Sequence, residues 1–80
     1  MIKMTNQEIA DKIYFSYFEV EKGGKTEDAK KHANALIDAQ VQLMFQDEGN
    51  VIIDVERELY LDDWEEIKYI INTKTWKQQQ

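Results

Sequence analysis

Eighty residues, 42% of them apolar, hold one small domain with its own core and leave no room for a second. The absence of cysteine excludes disulfide scaffolds, thiol redox chemistry and thiolate zinc sites, and it suits a reducing cytoplasm. Sixteen acidic against ten basic residues give a net charge of −6, which argues against ordinary phosphate-backbone binding, since that relies on clustered lysine and arginine.

No apolar run approaches the ~18 residues of a membrane-spanning helix, and residues 1–10 lack a signal-peptide core. A cytoplasmic protein is expected. The first predicted helix spans residues 6–22. Thr5 and Glu8 have the spacing of a capping box, Ile9, Ile13, Tyr17 and Val20 recur at helical spacing, and Gly23-Gly24 ends the run. A second helix opens with Thr26 as its cap and with Glu27 and Asp28 in the first turn, where the helix dipole favours negative charge. Ala29, Ala33, Leu36, Ile37 and Met44 continue its stripe, although residues 40–46 also alternate polar and apolar as a half-buried strand does.

Residues 47–50 read as a turn. Beyond it, Val51, Ile53, Val55, Leu59 and Leu61 alternate with Asp54, Glu56, Glu58 and Tyr60, which predicts a strand. Asp62 is the expected cap of a last helix, with Glu65 closing a capping box and Trp64, Ile67, Ile70 and Ile71 as the buried stripe. Trp76, among Lys and Gln near the chain end, is expected to be exposed and dispensable, and residues 78–80 a frayed tail. These elements describe an α-rich α+β single domain over residues 1–80: two N-terminal helices, a short β element around 51–61 and a C-terminal helix. The alternative, should 51–61 be helical, is an all-α bundle.

The charge is localised. Residues 47–66 hold nine acids (Asp47, Glu48, Asp54, Glu56, Glu58, Asp62, Asp63, Glu65, Glu66) and only Arg57, a net of −8, while residues 67–80 hold three lysines and no acid. On a strand, Asp54, Glu56 and Glu58 repeat every ~6.6 Å, close to the ~7 Å spacing of phosphates along one nucleic-acid strand. Asp54, Glu56, Glu58, Asp62, Asp63, Glu65 and Glu66 are therefore the candidate partner-binding residues, as a nucleic-acid mimic or a dock for a basic protein.

Catalytic chemistry finds little footing. His32 is the only histidine, and no second histidine or cysteine stands at helical spacing from it. No EF-hand ladder precedes Gly49. Asp54 with Glu66-Ile67-Lys68 resembles the acid-and-ExK arrangement of a metal-dependent nuclease family, but that family carries its ExK on a strand and Glu66 and Lys68 fall in a predicted helix. No enzyme, metal or cofactor is expected.

Tyr14, Phe15, Tyr17 and Phe18 point in successive 100° steps on a helix, so one face cannot bury all four. Part of this cluster is a candidate interface, with a homodimer as one expected use. Thr5-Asn6-Gln7-Glu8-Ile9-Ala10-Asp11-Lys12-Ile13-Tyr14-Phe15-Ser16 resembles the start of a LuxR-type helix-turn-helix, with Val20 where that family keeps an apolar core residue. The resemblance implies a second, DNA-reading helix beginning near Ser16, where Glu19 and Glu21 would face phosphate.

Small size, acidity and the lack of catalytic residues also look like the inhibitors that phages and mobile elements direct against host nucleases or CRISPR effectors, the anti-CRISPR proteins. That likeness implies a non-enzymatic binding protein that occludes the basic, nucleic-acid-binding surface of a larger protein, with no direct nucleic-acid or membrane contact. The other expectation is a small helix-turn-helix transcription regulator.

Overall fold

A computed structural model describes residues 4–47 and 58–76. Three helices follow one another: α1 (Asn6–Val20), α2 (Thr26–Met44) and α3 (Leu61–Thr73).

At the start of α1 the predicted capping box is complete. The Glu8 N–H donates to Thr5 Oγ1 at 3.2 Å, and the Thr5 N–H donates to Glu8 Oε1 at 3.0 Å. The helix runs unbroken through Ser16 and stops at Val20, two residues before its predicted end. No helix begins near Ser16, so the DNA-reading helix implied by the LuxR-type resemblance is not formed there. Val20, expected in the buried stripe, is 83% exposed. The chain then reverses at Gly23, which sits at φ 81, and a Cβ on Gly24 would run into the Tyr17 ring.

Lys25, not Thr26, is the N-cap of α2, and it caps without its side chain. The helix continues through residues 40–44 because Ile37, Gln40, Val41 and Met44 turn toward one side at helical spacing. Gln40 is fully buried and Ile37 is 1% exposed. Helical packing thus overrides the strand-like alternation. Asp47, at φ 60, turns the chain beyond the helix in a conformation that aspartate tolerates better than most residues.

The α+β expectation is overturned: among the described residues there is no strand, and the all-α bundle is what forms. Of the predicted β element, residues 51–57 lie outside the described residues, as do candidate residues Asp54 and Glu56. Residues 58–60 form no regular structure, and Leu61 already belongs to α3. Leu59, read as one tooth of a strand, is a single apolar anchor, 2% exposed, just before the helix.

The cap of α3 also differs from expectation. Tyr60 is the N-cap, and its N–H donates to Asp63 Oδ2 at 2.9 Å. Asp62 and Glu65, expected to form the capping box, are both exposed. The reading slipped because three acids stand within one turn and spacing alone does not choose among them. Asp63→Ala should cost roughly 0.5–2 kcal/mol, whereas Asp62→Ala should change stability little. Thermal melts of the two variants check this order, and an equal loss from both would contradict the assignment.

All three helices contribute to one core. Ile9, Ile13, Tyr14, Ile37, Trp64, Ile67 and Ile71 are each no more than 1% exposed, and apolar burial of this kind is the main favourable term in folding. Helices α2 and α3 run antiparallel. The side-chain amides of Asn34 and Asn72 bond reciprocally at 2.9 Å, and one turn on Lys68 Nζ meets Asp38 Oδ1 at 2.7 Å. Helices α1 and α3 run in the same direction, with Asn6 beside Asp63 and Glu66 at one end and Asp11 joined to Lys74 at 2.9 Å at the other.

Trp76, expected to be exposed, closes the core. It is 8% exposed, stacks on Tyr14 with ring centroids 3.8 Å apart and planes 5° from parallel, and donates its indole N–H to the Ile71 carbonyl at 2.9 Å.

Candidate functional site

The acidic residues at the start of α3 are placed by the buried stripe behind them. Trp64, Ile67 and Ile71 face inward, so at 100° per residue Asp62 and Glu66 stand on the opposite side of the helix. Glu65 turns toward α2 and Asp63 toward α1. Asp62, Glu65 and Glu66 are exposed, Asp63 is half-buried, and Glu58 is exposed just before the helix. Tyr69, 68% exposed, continues the outward row one turn beyond Glu65 and Glu66.

This row is held in place at several points. Asn6 Nδ2 on α1 lies 2.9 Å from Glu66 Oε1 and 3.3 Å from Asp63 Oδ1, so one amide fixes two carboxylates. The Tyr60 phenol donates to Glu58 Oε2 at 3.1 Å. That hydrogen bond, followed by the Glu58 charge, holds the Tyr60 hydroxyl above its ordinary pKa, so it stays protonated and keeps donating through neutral pH.

Among the described residues no lysine pairs with Glu58, Asp62, Glu65 or Glu66. The ion pairs there are Lys68 with Asp38 and Lys74 with Asp11. The carboxylates at the positive end of α3 also relieve its dipole, which favours negative charge in the first turn. The result is an anionic ridge on a packed helix, accessible to a partner, with Glu58, Asp63 and Glu66 hydrogen-bonded.

Beside the ridge lies an open groove between α2 and α3. Ile37, Val41, Leu61 and Trp64 line it together with Asp38, Gln42, Glu65 and Lys68, over about 410 Å³. A second open groove on α1, lined by Met4, Glu8, Asp11, Lys12, Phe15, Ser16 and Glu19, carries both signs of charge.

The aromatic cluster divides between core and surface. Tyr14 and Phe18 are buried within the chain's own core, while Tyr17 is half-buried and Phe15 is 39% exposed. Phe15 packs edge-on against Tyr14 and Trp76. His32 lies against the Tyr17 ring, with centroids 5.4 Å apart. Among the described residues no group of three His, Asp or Glu side chains is arranged to hold a metal ion.

Sequence reasoning set Glu58, Asp62, Asp63, Glu65 and Glu66 along a strand and a cap, whereas the structure places Glu58 just before α3 and the other four in its first turns. It missed Asn6, Tyr60 and Tyr69. The Asn6 contacts join residues 57 and 60 positions apart, and no local pattern carries such a signal. Compared with known proteins, the chain matches no family model, no curated protein and no solved structure significantly. Among the described residues no helix is long and apolar enough to cross a membrane.

Proposed function

We propose that this protein is a non-enzymatic binding protein that covers a basic surface of a larger protein, one of the kind that otherwise holds nucleic acid. The observation that carries the reading is the ridge on α3: Glu58, Asp62, Glu65 and Glu66, without a lysine partner among the described residues, on a helix locked to its neighbours. Carboxylates already hydrogen-bonded, as Glu58 and Glu66 are, lose less side-chain freedom on meeting a partner, and localised charge of one sign accelerates encounter with the opposite sign. The exposed Tyr69 supplies the apolar contact that charge alone lacks, and tyrosine is common among residues that dominate binding energy.

The anti-CRISPR-like reading is one form of this proposal, in which the covered surface belongs to a nuclease or another nucleic-acid-binding effector. Duplex DNA held by poly-L-lysine tests the occlusion directly. The protein should release the DNA from the polymer, with the effect fading as salt screens the charges. Direct binding of the protein to the duplex, weakening steeply with salt, would replace this reading with the transcription regulator.

A further inference from the structure

The α2–α3 pairing continues past the groove into an apolar seam that nothing described so far uses. Asn34 meets Asn72, Asp38 meets Lys68, and Val41 and Gln42 share the groove with Leu61 and Glu65. One further step in this antiparallel register brings Phe45 level with Leu61. Phe45 is 76% exposed, Leu61 38% and Tyr60 61%, so three large apolar side chains remain open to solvent at this end of the helix pair. Exposed apolar clusters rimmed by polar residues mark interaction sites. Here the rim is acidic, with Asp62 and Glu65 beside Leu61 and Asp47 beyond Phe45, all exposed.

We infer that this seam receives one face of a basic amphipathic helix from the partner, with a large apolar side chain seated among Val41, Phe45 and Leu61 and flanking Lys or Arg residues set against Glu65 and Asp62. Charge selects the occupant. A second copy of this chain, itself of net charge −6, would add acid to an acidic rim, whereas a cationic helix meets Glu65 and Asp62 on the α3 side and Asp47 beyond Phe45. The Lys68–Asp38 pair crosses the groove one turn further along and marks its closed end. An amphipathic helix laid in a groove reads as anchors at i, i+3 and i+4, which matches a short seam lined from two antiparallel helices.

The inference rests on the proposed basic partner and adds the apolar half of its recognition. The probe is a synthetic Leu/Lys peptide with leucines at helical spacing, beside a scrambled peptide of identical composition that forms no apolar face. The amphipathic peptide should bind at least tenfold more tightly than the scrambled one. Phe45→Asp should abolish that tenfold preference, and because Phe45 is mostly exposed the variant should keep the wild-type circular dichroism spectrum.

Equal binding of both peptides would overturn the seam while leaving the charged ridge in force. Binding of neither would overturn the basic-partner reading together with the seam. A sedimentation dimer that Phe45→Asp converts to monomer would assign the seam to a second copy instead.

Discussion

Trp64→Ala is expected to leave the chain largely unfolded at room temperature. Trp64 is fully buried at the start of α3, in the same core cluster as Ile9, Ile13 and Ile37 from the other two helices. Removing a tryptophan from a core costs roughly 3–5 kcal/mol, and small domains often have only about 5 kcal/mol in total. Among the described residues its buried indole N–H has no hydrogen-bond partner. Trp64→Phe therefore keeps an aromatic ring in place and removes an unsatisfied donor, so it should retain far more of the fold than the alanine variant. Circular dichroism and urea titration of the two variants check this. A Trp64→Ala protein with a wild-type spectrum and midpoint would contradict the central place given to this side chain.

Trp76→Ala should be the next most damaging substitution. The chain after α3 folds back across α1, and Trp76 covers Tyr14 in a near-parallel stack at 3.8 Å. Lys74 adds to the arrangement, paired with Asp11 and placed 4.4 Å above the Trp76 ring. That ion pair is more than a third exposed on both sides and adds little by itself. The indole hydrogen bond to the Ile71 carbonyl adds about 1 kcal/mol, and the lost ring burial and stacking bring the alanine cost to about 3 kcal/mol. At ~4–8 °C per kcal/mol in a domain of this size, the melting temperature should fall by more than ten degrees. Trp76→Phe should recover most of the loss. A Trp76→Ala melt within a few degrees of the wild type would show that the segment does not pack on α1.

These two tryptophans show where the sequence was informative and where it was not. Trp64 stands at helical spacing with Ile67 and Ile71, so its burial follows from periodicity. Trp76 stands alone beyond the helix among polar residues, and its partner Tyr14 is 62 positions earlier in the chain. No local pattern could place it.

The Thr5–Glu8 box and the Gly23-Gly24 stop were legible because each is set by backbone chemistry within a few residues. Residues 40–46 and 51–61 were ambiguous because short apolar alternation fits either period. At 40–44, burial of Gln40 beside Ile37 decides for helix. The acidic ridge was visible as composition, but the amide that holds Asp63 and Glu66 is Asn6 on another helix, and the ridge's apolar neighbour Phe45 was hidden within the strand-like alternation.

The central claim is that the α3 ridge, and not net acidity in general, recognises basic surfaces. Titration of fluorescent poly-L-lysine into the wild type, D62K/E65K/E66K and E19K/E21K/E27K compares two proteins with the same change in net charge. All six of the altered side chains are exposed, so both variants should fold. The account predicts that the α3 variant loses at least tenfold in affinity and most of its salt dependence, while the control variant loses only a small factor. Equal losses in the two variants would contradict it.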